Sequence, residues 1–342
     1  MNQGQWETLL AVVAGERAGP VPVAFIIDSP WLPNWAGMTL LDYFASEHRW
    51  MAANRQAIDR FPQVLFLPGF WSEFGMCTEP SAFGARPVWH EDAFPFAEPV
   101  LADTEAIADL AKPDPARHGL PPLALKRLVH ARPAIEEAGH AVRFAVARGP
   151  LNVAAFLMGN TEFLMALKIE PDRVHTLLAT VTDFLVDWLR LQAETLPTID
   201  GIFLLDDIVG FLGEDDFLAF AKPYLAKAFA AVDARVRFFH NDAAGRVCAP
   251  HLADVGVNLF NFSSDHGLAE MRAWTGDEVA LMGNIPPRDV LAAGSPDDVR
   301  QAVRDALDDA GDTTGLLLSC GGGMPPGTPT ENIEAFLDAA RA

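Results

Sequence analysis

The sequence predicts a (β/α)8 barrel, and three observations carry that prediction. About eight short apolar runs alternate with helical stretches; the runs are apolar at nearly every position rather than every second one; and most exit into a polar or turn-forming stretch. Uninterrupted apolar strands belong to a sheet buried on both faces, and strand–helix alternation makes such a sheet parallel. The chain's 342 residues suit one barrel carrying an insertion. A closed barrel brings the carboxyl ends of all its strands to one mouth, so residues far apart in sequence share a rim. The alternative, an open doubly wound sheet, is disfavoured because no Gly-x-Gly-x-x-Gly follows the first strand.

In chain order, Gln5 to Gly15 reads as a short helix, and Val21 to Ile27 as a buried strand ending at Asp28. Met38 to Arg60 is helical, Val64 to Leu67 is the second strand, and Pro68-Gly69-Phe-Trp-Ser-Glu73 is its exit loop. Residues 75–120, rich in Pro, Phe and acidic side chains, form an insertion whose aromatics (Phe83, Trp89, Phe94, Phe96) suggest a partial lid or a docking face. Leu123 to Ala138 is a helix broken at Pro133, and Val142 to Ala147 is the third strand, leaving at Arg148-Gly149-Pro150. Phe156 to Lys168 and Pro171 to Leu196 are helices, the second with Val174, Leu177, Leu178, Val181, Phe184 and Leu185 at helical spacing for the core. Gly201 to Leu205 is the fourth strand, ending at Asp206-Asp207, with a helix from Asp215 after it. Arg235-Val-Arg-Phe-Phe-His-Asn-Asp242 is the fifth, and a short helix from Arg246 to Val255 leads to the sixth, Val257 to Phe260, which exits at Asn261. Val279 to Met282 is the seventh, ending at Gly283-Asn284; Val299 to Ala310 is amphipathic; Gly315 to Ser319 is the eighth, running into Cys320-Gly-Gly-Gly323. A last helix covers Glu331 to Arg341, with Thr328 or Thr330 as its cap.

Composition excludes several classes of function. With 46 acidic and 25 basic residues the formal charge is −21, which repels nucleic acid and anionic membrane surfaces. The first residues lack a basic segment followed by an apolar one, and no run nears the roughly 18 apolar residues of a membrane helix, so the expectation is a cytoplasmic protein. Three cysteines, Cys77, Cys248 and Cys320, are too few for a disulfide framework and give a thiol chemical rather than stapling value.

The strand ends supply the candidate site. His240 and Asp242 stand two apart, so the period-2 alternation of a strand aims both at one point. With Cys320 they make an imidazole, a carboxylate and a thiolate, a set suited to catalytic zinc with its fourth position open; Glu73 or Cys77 would be a further ligand. The other reading makes Asp242 an acid or base beside a bound substrate, with Asp207 and Asn261 as companions. Asp28, Trp31, Arg148, Asn284 and Gly322 fall at or near the expected rim and are the candidate substrate-binding residues.

Several segments together resemble the uroporphyrinogen decarboxylase superfamily over nearly the whole chain. They are Arg148-Gly-Pro150, Asp207 with Phe217 to Tyr224, the His240 segment, Gly256-Val-Asn258, Met282-Gly-Asn-Ile-Pro-Pro287 with Gly294-Ser-Pro296, and Ser319 to Asn332. The resemblance implies a (β/α)8 barrel and an enzyme. Decarboxylases of the family carry an Arg-rich segment after the first strand and a His after the eighth; this chain has Ile27-Asp28-Ser-Pro-Trp-Leu-Pro-Asn-Trp35 and Gly322 there. The resemblance therefore points to the cobalamin-dependent methyltransferase branch, which moves a methyl group between a small methylated compound or thiol and a corrinoid on a partner protein. In that branch a His-x-Cys pair after strand five and a Cys after strand eight bind zinc; His240 and Cys320 match, and Asp242 stands in place of the first Cys. A homodimer is compatible with this reading. A tetrapyrrole decarboxylase and a non-catalytic ligand-binding barrel are the alternatives.

Overall fold

The computed structural model describes residues 1–16, 19–27 and 30–341. Its core is a parallel barrel of β1 (Ala24–Ile26), β2 (Leu65–Leu67), β3 (Phe144–Arg148), β4 (Gly201–Leu205), β5 (Val236–Asn241), β6 (Leu259–Phe262), β7 (Ala280–Ile285) and β8 (Leu316–Cys320). Strands β3 to β8 pair in sequence order, β1 pairs with β2, and a bridge from Val23 to Leu318 joins β1 to β8. Each strand is buried nearly throughout, and successive side chains alternate between two cores. Ile26, Leu65, Leu67, Val146, Phe203, Phe238, Leu259, Met282 and Leu317 fill the barrel interior, with Phe203 stacked on Phe238 at 4.3 Å. Phe25, Phe66, Ala147, Leu204, Phe239, Phe260, Leu281, Leu316 and Leu318 face the helical layer.

Between β2 and β3 the described residues form no strand ladder, and side chains take its place. Gln192 accepts the Val146 amide and donates to the Val146 carbonyl, both at 3.0 Å, and Glu79 accepts the Arg148 amide at 3.1 Å. Buried backbone groups have to be paired, and this edge meets that requirement from outside the sheet.

Residues 75–120 leave the barrel at this seam and carry a short helix, Thr78–Ala82, and a two-residue antiparallel ladder, Pro87–Val88 with Phe96–Ala97. Several expected boundaries move. The helix Pro121–Glu137 runs through Pro133, which lies on its exposed side, where water can take the freed carbonyl. Met38 to Arg60 divides at Ser46, whose hydroxyl caps Glu47–Arg60. Neither Thr328 nor Thr330 caps the last helix, Thr330–Ala339: Thr328 Oγ1 donates to the Pro325 carbonyl, and Thr330 Oγ1 accepts from Trp35 Nε1. Among the described residues no helix is long and apolar enough to cross a membrane.

Candidate active site

The alternation of the strands decides which rim residues meet. His240 follows Val236 and Phe238 in phase and therefore turns into the barrel mouth. Adjacent Asp206 and Asp207 part: Asp207 follows the inward Leu205, and Asp206 the outward Leu204. Asp206 is fully buried against the first turn of the helix Pro150–Met158, where its carboxylate accepts the Leu151 amide at 2.8 Å and the Asn152 amide at 3.0 Å. Burial nevertheless pushes its pKa well above the usual carboxylate range. A Cβ at Gly149 would lie 2.3 Å from the Asp206 carboxylate, so only glycine allows this approach.

At the mouth, Asn261 fixes the tautomer of His240. Its amide nitrogen donates to the carbonyls of Met282 (2.9 Å) and Cys320 (3.2 Å), which leaves its oxygen to accept from His240 Nδ1 at 2.7 Å. Nδ1 therefore carries hydrogen, and Nε2 faces Asp242 at 3.5 Å and Asp207 at 3.9 Å. Asp207 in turn accepts the backbone amide of Asp242 at 2.8 Å, which ties the two carboxylates to one loop geometry. Burial lowers the His240 pKa, but the charges of Asp242 and Asp207 and the Asn261 hydrogen bond outweigh it and push the value up to about 9. The imidazole is thus held as an imidazolium with one transferable proton, on Nε2.

His240, Asp207 and Asp242 line a cavity of about 260 Å³ together with Trp71, Glu73, Met76, Phe94, Arg148, Arg288 and Met324. Arg148 reaches it fully engaged. Its guanidinium donates to Glu73 Oε2 at 3.1 Å, to the Gly75 carbonyl at 3.2 Å and to Met76 Sδ at 3.4 Å, and lies 5.1 Å from the centre of the Trp71 ring. Glu73 is therefore a buried partner of Arg148. Fully buried Glu79 stands behind this pair; burial raises its pKa, with the Arg148 charge acting in the opposite sense.

The other expected site residues fall elsewhere. Cys320 is in phase with Leu316 and Leu318, on the face toward the helices, and its thiol donates to the Gly322 carbonyl at 3.3 Å. Cys77 is completely buried, and burial pushes its thiol up to about 12. Among the described residues no group of three His, Cys, Asp or Glu side chains is placed to hold a metal ion. The donor set His240, Asp242 and Cys320 thus does not come together to fit zinc in this geometry: His240 Nε2 and Asp242 face each other at 3.5 Å, but the Cys320 thiol faces the outer layer and does not line the cavity. Trp31 is completely buried, its ring stacked on those of Trp35 and Phe66, and it does not line the cavity. Asn284 donates to the His266 carbonyl and does not line the cavity. Asp28 lies outside the described residues.

Gly322 has a φ of +97°, and a Cβ there would lie 2.1 Å from Asp242 Oδ1, so a histidine at this position would collide with Asp242. The sequence reading missed Trp71, Met76 and Arg288 as lining residues. Trp71 and Arg288 each follow a strand exit, the one sequence signal available for them, whereas Met76 is brought in by the insertion.

With this geometry in place, comparison with known proteins locates the chain. A family model described as Uroporphyrinogen decarboxylase (URO-D) matches residues 5–342. Among curated relatives, a uroporphyrinogen decarboxylase from Chloroherpeton thalassium is 31% identical over 176 residues, 49% of this chain and 48% of that protein. One from Mannheimia succiniciproducens is 26% identical over 280 residues, 77% of this chain and 75% of the relative. The match thus spans about half the length of the first relative and three quarters of the second. Among solved structures, a methyltransferase from Methanosarcina mazei superposes with a TM-score of 0.80 at 21% identity, covering 97% of this chain and 96% of that one. A B12-independent methionine synthase from Shewanella sp. W3-18-1 gives 0.56 at 12% identity over 94% and 96%. The solved structures agree on the fold, and the family match runs from residue 5 to residue 342: this chain belongs to the uroporphyrinogen decarboxylase (URO-D) family.

Proposed function

We propose that the protein is a methyltransferase that moves a methyl group between a small methylated substrate or thiol and a corrinoid on a partner protein, with His240 as its proton donor and acceptor. The observation that carries this reading is the state of the lining cations. Arg148 is committed to Glu73, and His240 to Asp242 and Asp207, which leaves little to hold a tetrapyrrole bearing many carboxylates. What the mouth offers instead is one proton on a buried, oriented nitrogen.

The corrinoid would supply the methyl acceptor or donor. The remaining steps belong to this chain. As the bond from the methyl carbon to oxygen or sulfur breaks, the electron pair stays on the departing atom and the Nε2 proton of His240 moves to it, leaving a neutral imidazole. A donor pKa of about 9 suits a thiolate or phenolate leaving group. Asn261 keeps the ring in its tautomer, Asp242 and Asp207 favour reprotonation, and Asp242, with a side chain 53% exposed, connects Nε2 to solvent. In the reverse sense, the neutral imidazole removes the proton of an incoming thiol. Met76 and Phe94, from the insertion, contribute apolar wall and reduce access of water.

The test is to incubate the chain with a corrinoid protein and a panel of methoxy and methylthio compounds. The expected result is methyl transfer that His240→Gln abolishes. A second reading, decarboxylation of uroporphyrinogen, draws on the names of the curated relatives. Product formed from uroporphyrinogen at the rate of a true decarboxylase, with no methyl transfer to any compound, would replace the first reading with the second.

A further inference from the structure

We infer that one water molecule is a fixed part of the wall behind the mouth, held by Ser72 Oγ, Glu79 Oε2 and Trp188 Nε1 on the far side of the Arg148–Glu73 pair. The inference does not depend on the reaction assigned above. At the β2–β3 seam a second cavity, of about 10 Å³, is lined by Ser72, Glu79 and Trp188 and shares Trp71, Glu73 and Arg148 with the larger cavity at the mouth. Ser72, Glu79 and Trp188 are 7%, 4% and 3% exposed, and those three polar atoms have no hydrogen-bond partner among the described residues. The other polar side chains of this cavity are satisfied. Thr78 Oγ1 accepts the Phe74 amide at 3.0 Å, Gln192 serves both backbone groups of Val146, and Glu73 pairs with Arg148. Buried polar atoms are paired by protein or by ordered water, and a buried water typically makes about three hydrogen bonds.

Size and chemistry both select water. A cavity of about 10 Å³ is the least that holds one such molecule. Trp188 Nε1 can only donate, so its hydrogen would face a bound cation, and the carboxylates of Glu79 and Glu73 would repel an anion. Water has two hydrogens to give and two lone pairs: it accepts from the indole N–H and exchanges a hydrogen bond with the Ser72 hydroxyl. Glu79 Oε1 already accepts the Arg148 amide at 3.1 Å, which leaves Oε2 for the water. Burial raises the pKa of Glu79, and a water can donate to the carboxylate or accept from the acid, so it suits either form. Its three anchors come from separate elements. Ser72 follows β2, Glu79 lies on the helix Thr78–Ala82 of the insertion, and Trp188 on the helix Pro171–Thr195. The water thus joins these elements where β2 and β3 have no ladder, and, as a single fixed molecule, it leaves the Arg148–Glu73 pair shielded from bulk solvent.

The test is a crystal structure of the full chain at a resolution that shows ordered water, with magnetisation transfer from water to the Trp188 indole N–H measured in solution on tryptophan-labelled protein. The expected result is one water within about 2.7–3.2 Å of all three atoms and a direct transfer signal at the Trp188 indole. Glu79→Gln still accepts the Arg148 amide and should keep the water. Ser72→Val replaces the hydroxyl with two methyl groups that take up its room, and both signals should vanish. In that variant the Arg148 amide should exchange with solvent at least about ten-fold faster, since Glu79 and Trp188 lose a shared partner. If Ser72→Val does not fold, the wild type and Glu79→Gln decide the matter. No water in the wild type, an ion in its place, direct bonding among the three side chains, loss of the water in Glu79→Gln, or its persistence in a folded Ser72→Val would each overturn the inference. Unchanged exchange of the Arg148 amide in Ser72→Val would overturn the part the water plays in joining the seam.

Discussion

The two sides of the cavity are built from the same kinds of side chain and differ in what each leaves free. At the β2–β3 seam, Arg148 and Glu73 form an ion pair with side chains 5% and 4% exposed, closed over by Trp71, Met76 and the Gly75 carbonyl. Across the mouth, the His240 side chain is 7% exposed, but its partners Asp207 and Asp242 are 35% and 53% exposed. The first pair is locked, because separating it would strand a charge in a dry interior. The second keeps a charge buried while its counter-charges reach water, and this arrangement lets a proton arrive and leave. Substitutions should therefore cost stability on one side and rate on the other.

The largest expected effect is at the closed pair. Glu73→Ala leaves the Arg148 guanidinium without its carboxylate and should destabilise the fold by about 3–5 kcal/mol in urea unfolding, whereas replacing both residues with apolar side chains of similar size should cost much less. A small loss for Glu73→Ala would mean that the pair is not closed. Next, Asp242→Asn should lower methyl transfer by on the order of 10²-fold, with a stability loss smaller than that of Glu73→Ala and confined to pH below about 9, where the His240 proton that Asp242 helps to hold is present. Should the losses be reversed, with stability falling and rate unaffected, the contrast between the two sides would fail.

Asn261→Leu removes the acceptor of the Nδ1 proton and should cost about 1–3 kcal/mol of stability together with a lower His240 pKa, read by unfolding and by nitrogen NMR. Gly322→Ala puts a Cβ into a left-handed backbone and against Asp242. The expected cost is about 1–3 kcal/mol, and the reduction in rate should approach that of Asp242→Asn as the carboxylate is displaced.

Much of the architecture was legible because buried parallel strands are short, apolar and bounded by loops; the runs at Val21, Val64, Val142, Gly201, Val257, Val279 and Gly315 and the opening stretch of the fifth strand all became barrel strands. The same uniform apolarity hid their phase. In Leu316-Leu-Leu318 every position is leucine, so nothing in the sequence says which side faces inward, and Cys320 was expected at the mouth although it faces the helices. His240 and Asp242 were readable as a pair because their spacing holds whatever the phase. The bond from Arg148 to Glu73 spans 75 positions and depends on how the insertion folds back, information that no local pattern carries. Trp31 shows the same limit, since an aromatic beyond a strand end can line a mouth or join a core, and its neighbours Trp35 and Phe66 decide it.

The raised pKa of His240 also sets a pH dependence. Its value of about 9 in the fold lies above the roughly 6.5 of an unfolded chain, so the native state holds the extra proton. The stabilisation it contributes is complete below about pH 6.5 and disappears as pH rises through about 9. Urea midpoints should fall over that window, and less steeply in Asp242→Asn.

The most direct measurement is a nitrogen-15 NMR titration of the His240 ring in the purified wild-type chain. Both ring nitrogens should carry hydrogen at neutral pH, Nε2 should lose its proton near pH 9, and Asp242→Asn should shift that transition downward. A ring that is neutral at pH 7, or one whose Nε2 shows the shift of a metal-bound nitrogen, would contradict the assignment of His240 as the proton donor of this site.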